Sequence, residues 1–296
     1  RAEQDLSIAH EARQHTQELT DLTRDYAQTG KGTEADYDRA QAEMAVRSND
    51  VTRGEEAVQV ASARLAQQLS LDPQFFFQPR EPTVVPIDLV PPERPPAELV
   101  ARALTCRPEI AESRHLIAEA VERLKREEFA PLIPSVLLGI GYGGFGGNEG
   151  ANVKNFSASF DSVAGAFWEV RNLGFGEQAA RKEARSRIHQ AQWREVAALD
   201  RVAREVVEAH TQVVARRRQL ATAEEGVRAA QSSYSRNLER IRNAQGLPLE
   251  VLQSIQALAQ ARREYLRVVV SYNEAQFRLH RALGWPVDET AHTAAD

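Results

Sequence analysis

The chain has 296 residues, 37 basic and 42 acidic, for a net charge of −5; 6% of its residues are aromatic and 27% charged. A balance dominated by Ala, Glu, Arg, Gln, Leu and Val belongs to long helices and coiled coils, and the absence of a basic excess argues against a nucleic-acid surface. No apolar run is long enough for a spanning helix, and the single cysteine, Cys106, excludes an internal disulfide framework and a Cys-based zinc site.

Punctuation divides the chain sharply. Residues 1–72 lack proline and read as a first helical hairpin: a helix to about Gln28, a break at Thr29-Gly30-Lys31-Gly32, and a second helix from about Glu34 to Leu71. The second helix carries a heptad stripe of Tyr37, Met44, Val51, Val58 and Leu65. Residues 73–96 hold eight of the thirteen prolines and read as an extended connector packed outside the helices, its route not legible. A helix follows over 97–130.

Residues 131–173 are of another kind. Val136, Leu138, Ile140 and Tyr142 alternate with Ser135, Gly139 and Gly141, Leu137 being the exception. After a Gly/Asn-rich turn, Gly143 to Gly150, a second alternating run spans Phe156 to Arg171 and includes Phe160, Ala164, Ala166 and Trp168. Period-two alternation with one small or polar face reads as a β-hairpin. A soluble half-buried hairpin and a transmembrane barrel strand share that signature. One isolated hairpin between long helices cannot stand alone, so it must close with other copies.

The second long helical hairpin occupies 174–284. Its first helix, about Glu177 to Asn243, is a heptad coiled-coil pattern roughly 100 Å long. The seam is Leu199, Val206, Val213, Leu220, Val227, Tyr234 and Ile241, flanked by Val202, Ala209, Arg216, Ala223, Ala230 and Asn237. Arg216 and Asn237 are costly there unless they face water or a partner charge. The helix stops at Gly246-Leu247-Pro248, and the return helix, about Leu249 to Leu283, carries Val251, Leu258, Tyr265, Tyr272 and Leu279 up to the Gly284-Trp285-Pro286 stop. Residues 285–296 form a tail.

The return helices repeat. Tyr37 precedes Val251 by 214 residues, as Val51 does Tyr265, Gly32 does Gly246, and Leu69 does Leu283. The two hairpins are therefore copies of one unit. The first copy's counterpart of 97–212 would precede Arg1, so the chain is expected to be a piece of a longer protein. Residues 1–72 have a net charge of −6 and 177–243 of +5, which favours pairing between the hairpins.

Other motifs carry no chemistry. Gly139-x-Gly141-x-x-Gly144 matches a dinucleotide fingerprint, but a second strand follows where the fingerprint needs a helix. The seven histidines show no metal spacing, Cys106 has no nucleophile setting, and Asn155-Phe156-Ser157 is a bare sequon. Arg216-Arg217-Arg218 reads as a solvated basic face. No catalytic set, metal site or cofactor is expected, and an enzyme is not the reading.

In their order and spacing, several strings together resemble the TolC-like outer-membrane efflux protein family. They are Arg107-Pro108-Glu109-Ile110, Phe129-Ala130-Pro131-Leu132-Ile133-Pro134-Ser135, Trp168-Glu169-Val170-Arg171-Asn172-Leu173-Gly174-Phe175-Gly176, and the stretch Gly246 to Gly284 with Glu250-Val251-Leu252-Gln253 and Tyr272-Asn273. The resemblance implies a mostly α fold with a small β part. Long antiparallel coiled-coil hairpins would build an α-barrel protomer, and the β-hairpin would contribute to a trimeric transmembrane β-barrel in the bacterial outer membrane. It further implies a homotrimer acting as a passive exit duct for efflux or type I secretion. The helices would form a periplasmic tunnel, an adaptor would bind the tips, and an inner-membrane pump would be engaged indirectly.

By the same resemblance Gly30, Gly32, Thr33, Gly246, Leu247 and Pro248 are the adaptor-contacting tips. Glu250 matches an aperture acid, Gln253 stands where the family has a second one, and Asp36 and Asp38 are the first copy's equivalents. Val136, Leu138, Ile140, Tyr142, Phe156, Phe160 and Trp168 are the membrane-facing strand residues, in contact with outer-membrane lipid. No nucleic-acid partner is implied. A soluble coiled-coil scaffold explains the helices equally well but leaves the Gly-rich hairpin without a purpose.

Overall fold

A computed structural model describes residues 1–72, 74–81, 83–149, 152–169 and 171–284, with backbone alone for 145, 147–149, 152–156, 171 and 172. The predicted C-terminal tail, 285–296, including Trp285 and Pro286, lies outside the described residues. Six α-helices and two strands follow in the order α1 (Ala2–Gln28), α2 (Glu34–Gln68), α3 (Pro96–Cys106), α4 (Pro108–Phe129), β1 (Ser135–Glu149), β2 (Asn152–Phe167), α5 (Phe175–Arg242) and α6 (Pro248–Ala282). The chain divides into two compact units, residues 1–103 with 204 onward, and residues 104–203; α5 contributes to both.

In the first unit the heptad stripes face inward. Val206, Val213, Tyr234 and Ile241 of α5 and Val251, Leu258, Tyr272 and Leu279 of α6 are buried, and α1 adds Ile8, Ala12 and Leu19 to the same core. Burying such side chains contributes about 1.5–3 kcal/mol each. Not every stripe position is buried. Leu65 is exposed, and Ser62 and Ala66 take the buried places on α2. Between Val213 and Tyr234 no residue of α5 is fully buried, so Leu220 and Val227 are only half covered. Of the two polar seam residues, Arg216 is exposed and donates to Gln219 (2.8 Å), while the half-buried Asn237 finds no partner charge among the described residues but donates to the main-chain carbonyl of Glu250 (3.4 Å).

The 214-residue repeat extends to the backbone. α1 ends at Gln28 and α5 at Arg242, and α2 and α6 are both 35 residues long. Gly30 (φ 71°) matches Ala244 (φ 56°), and Ser70 (φ 56°) matches Gly284 (φ 73°), so each helix end uses a left-handed residue at the same place. That conformation satisfies the last helical carbonyls, and only glycine enters it without steric cost.

The connector's route is decided by amide side chains. On α6, Asn273 accepts from Ile87 N–H (2.9 Å) and donates to the Val85 carbonyl (2.8 Å). The buried Gln276 does the same with both backbone groups of Val90 (2.9 and 3.2 Å). One hairpin earlier, Ser62 accepts from Phe77 N–H (2.8 Å) and donates to the Phe75 carbonyl (3.1 Å). Proline-rich backbone cannot form a ladder of its own, so side chains complete it.

In the second unit the segment expected as one helix over 97–130 is broken at Arg107. Pro108 supplies no N–H and holds Arg107 extended (ψ 130°), so α3 stops and α4 begins with proline at its first turn. The ladder of the β-hairpin reaches farther into its turn than expected. The Gly/Asn-rich stretch expected as a turn belongs to β1 as far as Glu149, Gly150 lying outside the described residues, and β1 pairs antiparallel with β2 from Ser135↔Phe167 to Glu149↔Asn152 with one irregularity between Gly146 and Gly147. Glycine alternation had masked the strand, because glycine carries no side chain to reveal a face. Trp168 lies just past the end of β2 rather than within it, where the chain leaves the ladder for the 3-10 turn Arg171–Gly174.

Ala244→Gly removes the steric cost of the left-handed position, offset in part by the greater freedom of the unfolded chain, and is expected to stabilise the second hairpin by roughly 0.5–1 kcal/mol. Helical signal followed through denaturant unfolding checks this; Gly30→Ala should shift the midpoint the opposite way.

Candidate functional site

Each tip is fixed by the helix end that enters it. In the first, the Tyr26 carbonyl accepts from both Lys31 N–H (2.9 Å) and Gly32 N–H (3.0 Å). Thr33 caps α2: its hydroxyl oxygen accepts from Asp36 N–H (3.2 Å) and its O–H donates to the Asp36 carboxylate (2.8 Å). In the second, the Arg240 carbonyl accepts from Gln245 N–H (2.9 Å). Here Leu247 offers no capping side chain, and Pro248 at the first turn has no N–H to satisfy.

Gly32 and Gly246 are required by close approach. A Cβ at Gly32 would lie 3.0 Å from the Tyr26 Cβ, and one at Gly246 would lie 3.1 Å from Ile241 N and 3.2 Å from the Arg240 Cβ. The surfaces left outward are Gly30, Thr33 and above all Leu247, 63% exposed.

The acidic candidates divide between the tips. Glu250 is half-buried, its carboxylate 3.0 Å from the Arg240 guanidinium across the turn, an ion pair without hydrogen-bond alignment. Asp36 is engaged by the Thr33 cap and lies 3.8 Å from Arg39. Asp38 and Gln253 are exposed. No hydrogen bond or ion pair joins the Asp36/Asp38 set to Glu250 and Gln253 among the described residues.

What joins the two hairpins near their tips was not singled out from the sequence. The Tyr26 hydroxyl donates to the Ile241 carbonyl (2.8 Å) and lies 3.3 Å from that of Arg242, taking up the end of α5 from α1. Arg242 pairs with Glu18, and Arg262 of α6 with Glu11. Of these two pairs only Arg242 with Glu18 joins the oppositely charged segments 1–72 and 177–243; most other ion pairs among the described residues are internal to one helix. Tyr234 bonds His15 Nδ1 (2.9 Å), the rings tilted with centroids 4.4 Å apart. Arg240 was findable, because a tight turn at Gly246 brings residues ten apart to opposite sides of an antiparallel pair. Tyr26 and His15 were not, because nothing local sets the register between hairpins.

On the hairpin, Val136, Leu138, Ile140 and Tyr142 share one face with their cross-strand partners Ala166, Ala164, Ser162 and Phe160. All four are exposed, Ile140 at 80%. The opposite face alternates glycines and Asp161 with Leu137, Val163 and Phe167. Phe156 is paired with Gly146, and its side chain lies outside what the structure describes. Among the described residues no helix is long and apolar enough to cross a membrane, and no group of His, Cys, Asp or Glu is arranged to hold a metal.

The profile of a family described as outer membrane efflux protein matches residues 99–285. The chain belongs to that family. Solved structures agree on the fold. The outer-membrane channel OprN superposes with a TM-score of 0.72 at 20% identity, over 96% of this chain and 62% of its own. The outer membrane protein VceC from Vibrio cholerae gives 0.71 at 19%, over 97% and 67%. The Campylobacter jejuni CmeC outer membrane channel gives 0.73 at 15%, over 98% and 61%. This chain thus spans only 61–67% of the length of those proteins. No curated protein matches it in sequence. Family membership places it in the outer membrane.

Burial lowers the His15 pKa, opposed by Glu18, and pushes the Tyr234 hydroxyl up to about 12. A histidine held neutral in the folded state adds stability above its ordinary value of about 6.5, and that contribution is lost as pH falls toward the lowered one. Glu18 and Glu11 of α1, Arg242 and Tyr234 of α5, and Arg262 of α6 are the charged or titratable groups around it. The unfolding midpoint is expected to fall between pH 7 and 5, and to fall less in His15→Gln, as measured by circular dichroism across that range.

Proposed function

We propose that this chain forms part of a trimeric, passive exit duct through which an efflux or secretion system discharges across the outer membrane. The observation that carries the reading is the hairpin. A two-stranded sheet with Val136, Leu138, Ile140 and Tyr142 on one exposed face is not stable alone in water. In hydrocarbon every backbone group of such strands must be paired, which closure into a barrel with other copies provides. Each strand has 15 or 16 residues against the roughly 9–11 a bilayer needs, so part of it would stand beyond the hydrocarbon.

The helices would line a periplasmic tunnel, and selectivity would come from its width and charge. Glu250, with Gln253 and, from the first tip, Asp36 and Asp38, would lie at its aperture. Gly30, Gly32, Thr33, Gly246, Leu247 and Pro248 would present the adaptor-contacting surface. Exposed Leu247 is the residue there best suited to enter a partner's apolar pocket. An inner-membrane pump would supply the energy through that adaptor, with no chemical step in the duct.

Fractionation of native cells followed by sedimentation of the detergent-extracted protein tests the assembly: outer-membrane recovery as a trimer is expected, and a soluble monomer or dimer would sink the reading. Glu250→Gln leaves Arg240 without its counter-charge and should reduce cation preference in planar-bilayer conductance. An unchanged reversal potential in a salt gradient would remove Glu250 from the aperture.

A further inference from the structure

Where the strands meet the helices, the second unit holds a basic cleft bordered by exposed apolar side chains. It has a volume of about 790 Å³, and Arg181, Lys182 and Arg185 line it together with Pro131, Gly174 and Glu177. Arg181 and Lys182 are neighbours on one turn of α5 and Arg185 stands on the next, soon after the chain leaves β2. Arg181 is partly committed, donating to the Glu128 carbonyl at the end of α4 (3.3 Å). Arg185 is 3.9 Å from the Glu128 carboxylate, too far for a hydrogen bond, and its side chain is 65% exposed. Lys182 is exposed and makes no ion pair among the described residues.

The flanking segments carry a different chemistry. Phe129, Leu132 and Ile133 precede β1, while Trp168, Leu173 and Phe175 follow β2, and all six are exposed, Leu173 at 93%. Large apolar side chains bordering a cation cluster at the end of a membrane-type hairpin match the layering of a bilayer edge. Aromatic and aliphatic groups lie at the hydrocarbon boundary, and Lys and Arg lie at headgroup depth.

We propose that this cleft binds the phosphate headgroup of an anionic phospholipid from the periplasm-facing leaflet. The phosphate would sit against Lys182 and Arg185, with Arg181 behind them, and the acyl chains would lie along Leu132, Ile133 and Leu173. Charge complementarity and continuity with the strands select a lipid over a free ion, because inorganic phosphate makes no use of the apolar border. The site rests on the reading of β1 and β2 as membrane-spanning. Its role would be to fix the depth at which the helices leave the membrane.

The test uses the full-length protein in detergent, titrated with phosphatidylglycerol, with phosphatidylcholine and with inorganic phosphate alone, and bound lipid counted by native mass spectrometry. The wild type is expected to retain phosphatidylglycerol over phosphatidylcholine. Lys182→Gln with Arg185→Gln should weaken that retention roughly tenfold or more, while Lys182→Arg with Arg185→Lys keeps it. Both positions are exposed, so outer-membrane recovery and trimer mass should not change. Equal retention by wild type and the double Gln variant, with recovery and mass intact, overturns the headgroup site alone. Binding of inorganic phosphate as tight as that of the lipid overturns the lipid assignment. Failure of the wild type to reach the outer membrane overturns the membrane reading and the site with it.

Discussion

A heptad stripe is too narrow to cover itself. A pair of helices meeting along one seam leaves the flanks of that seam half-wetted, and in this chain the shortfall is made good by a third helix. α1 brings Ile8, Ala12 and Leu19 against Tyr234, Leu238 and Ile241 of α5 and Val251, Ile255 and Leu258 of α6. Everything near the tips follows from that three-helix contact. It sets the register that brings the Tyr26 hydroxyl to the end of α5 and Tyr234 to His15, and it holds the two turns side by side. Farther along α5, where Leu220 and Val227 are only half covered, the same requirement is unmet among the described residues.

The repeat shows one geometry reached by different chemistry. Both tips jam a glycine against the preceding helix, Gly32 on Tyr26 and Gly246 on Arg240. Yet one return helix is capped by Thr33 and Asp36, and the other by a proline with nothing to cap. The left-handed position is glycine in the first tip and alanine in the second. The tip surfaces therefore differ although their backbones match, one polar at Thr33 and the other apolar at Leu247. A partner reading the two tips would meet quasi-equivalent shapes with unlike surfaces, and the ion pair between Arg240 and Glu250 exists only in the second.

Ordered backbone outside the helices depends on side chains throughout. The connector has too many prolines to pair with itself, and Ser62, Asn273 and Gln276 act as its missing strand. Tyr272 adds a hydroxyl bond to Asp88, and Arg217 lies 3.6 Å from the same carboxylate. The β-hairpin is the opposite case, its two strands paired with each other but, among the described residues, unpaired along their outer edges and exposed on their apolar face, so its environment has to account for its stability.

The sequence by itself determined the helices, their breaks and their repetition, because heptad spacing, Gly and Pro act over a few residues and need no tertiary partner. It also showed a β-hairpin and the family resemblance. It left the end of β1 as a turn, since the run from Gly143 to Glu149 has few side chains to show a face, and it placed Trp168 inside β2 when the strand ends at Phe167. The tip glycines and the acidic residues near them were legible as a set, but not the Arg240 pairing of Glu250 or the cap that engages Asp36. Only the tertiary structure decided which helix covers the α5–α6 seam, where the connector runs, and that Tyr26, His15 and Tyr234 join the two hairpins. Those contacts lie between residues about 180 to 220 apart along the chain. Their register is fixed by how side chains interlock across helices, which no local periodicity specifies.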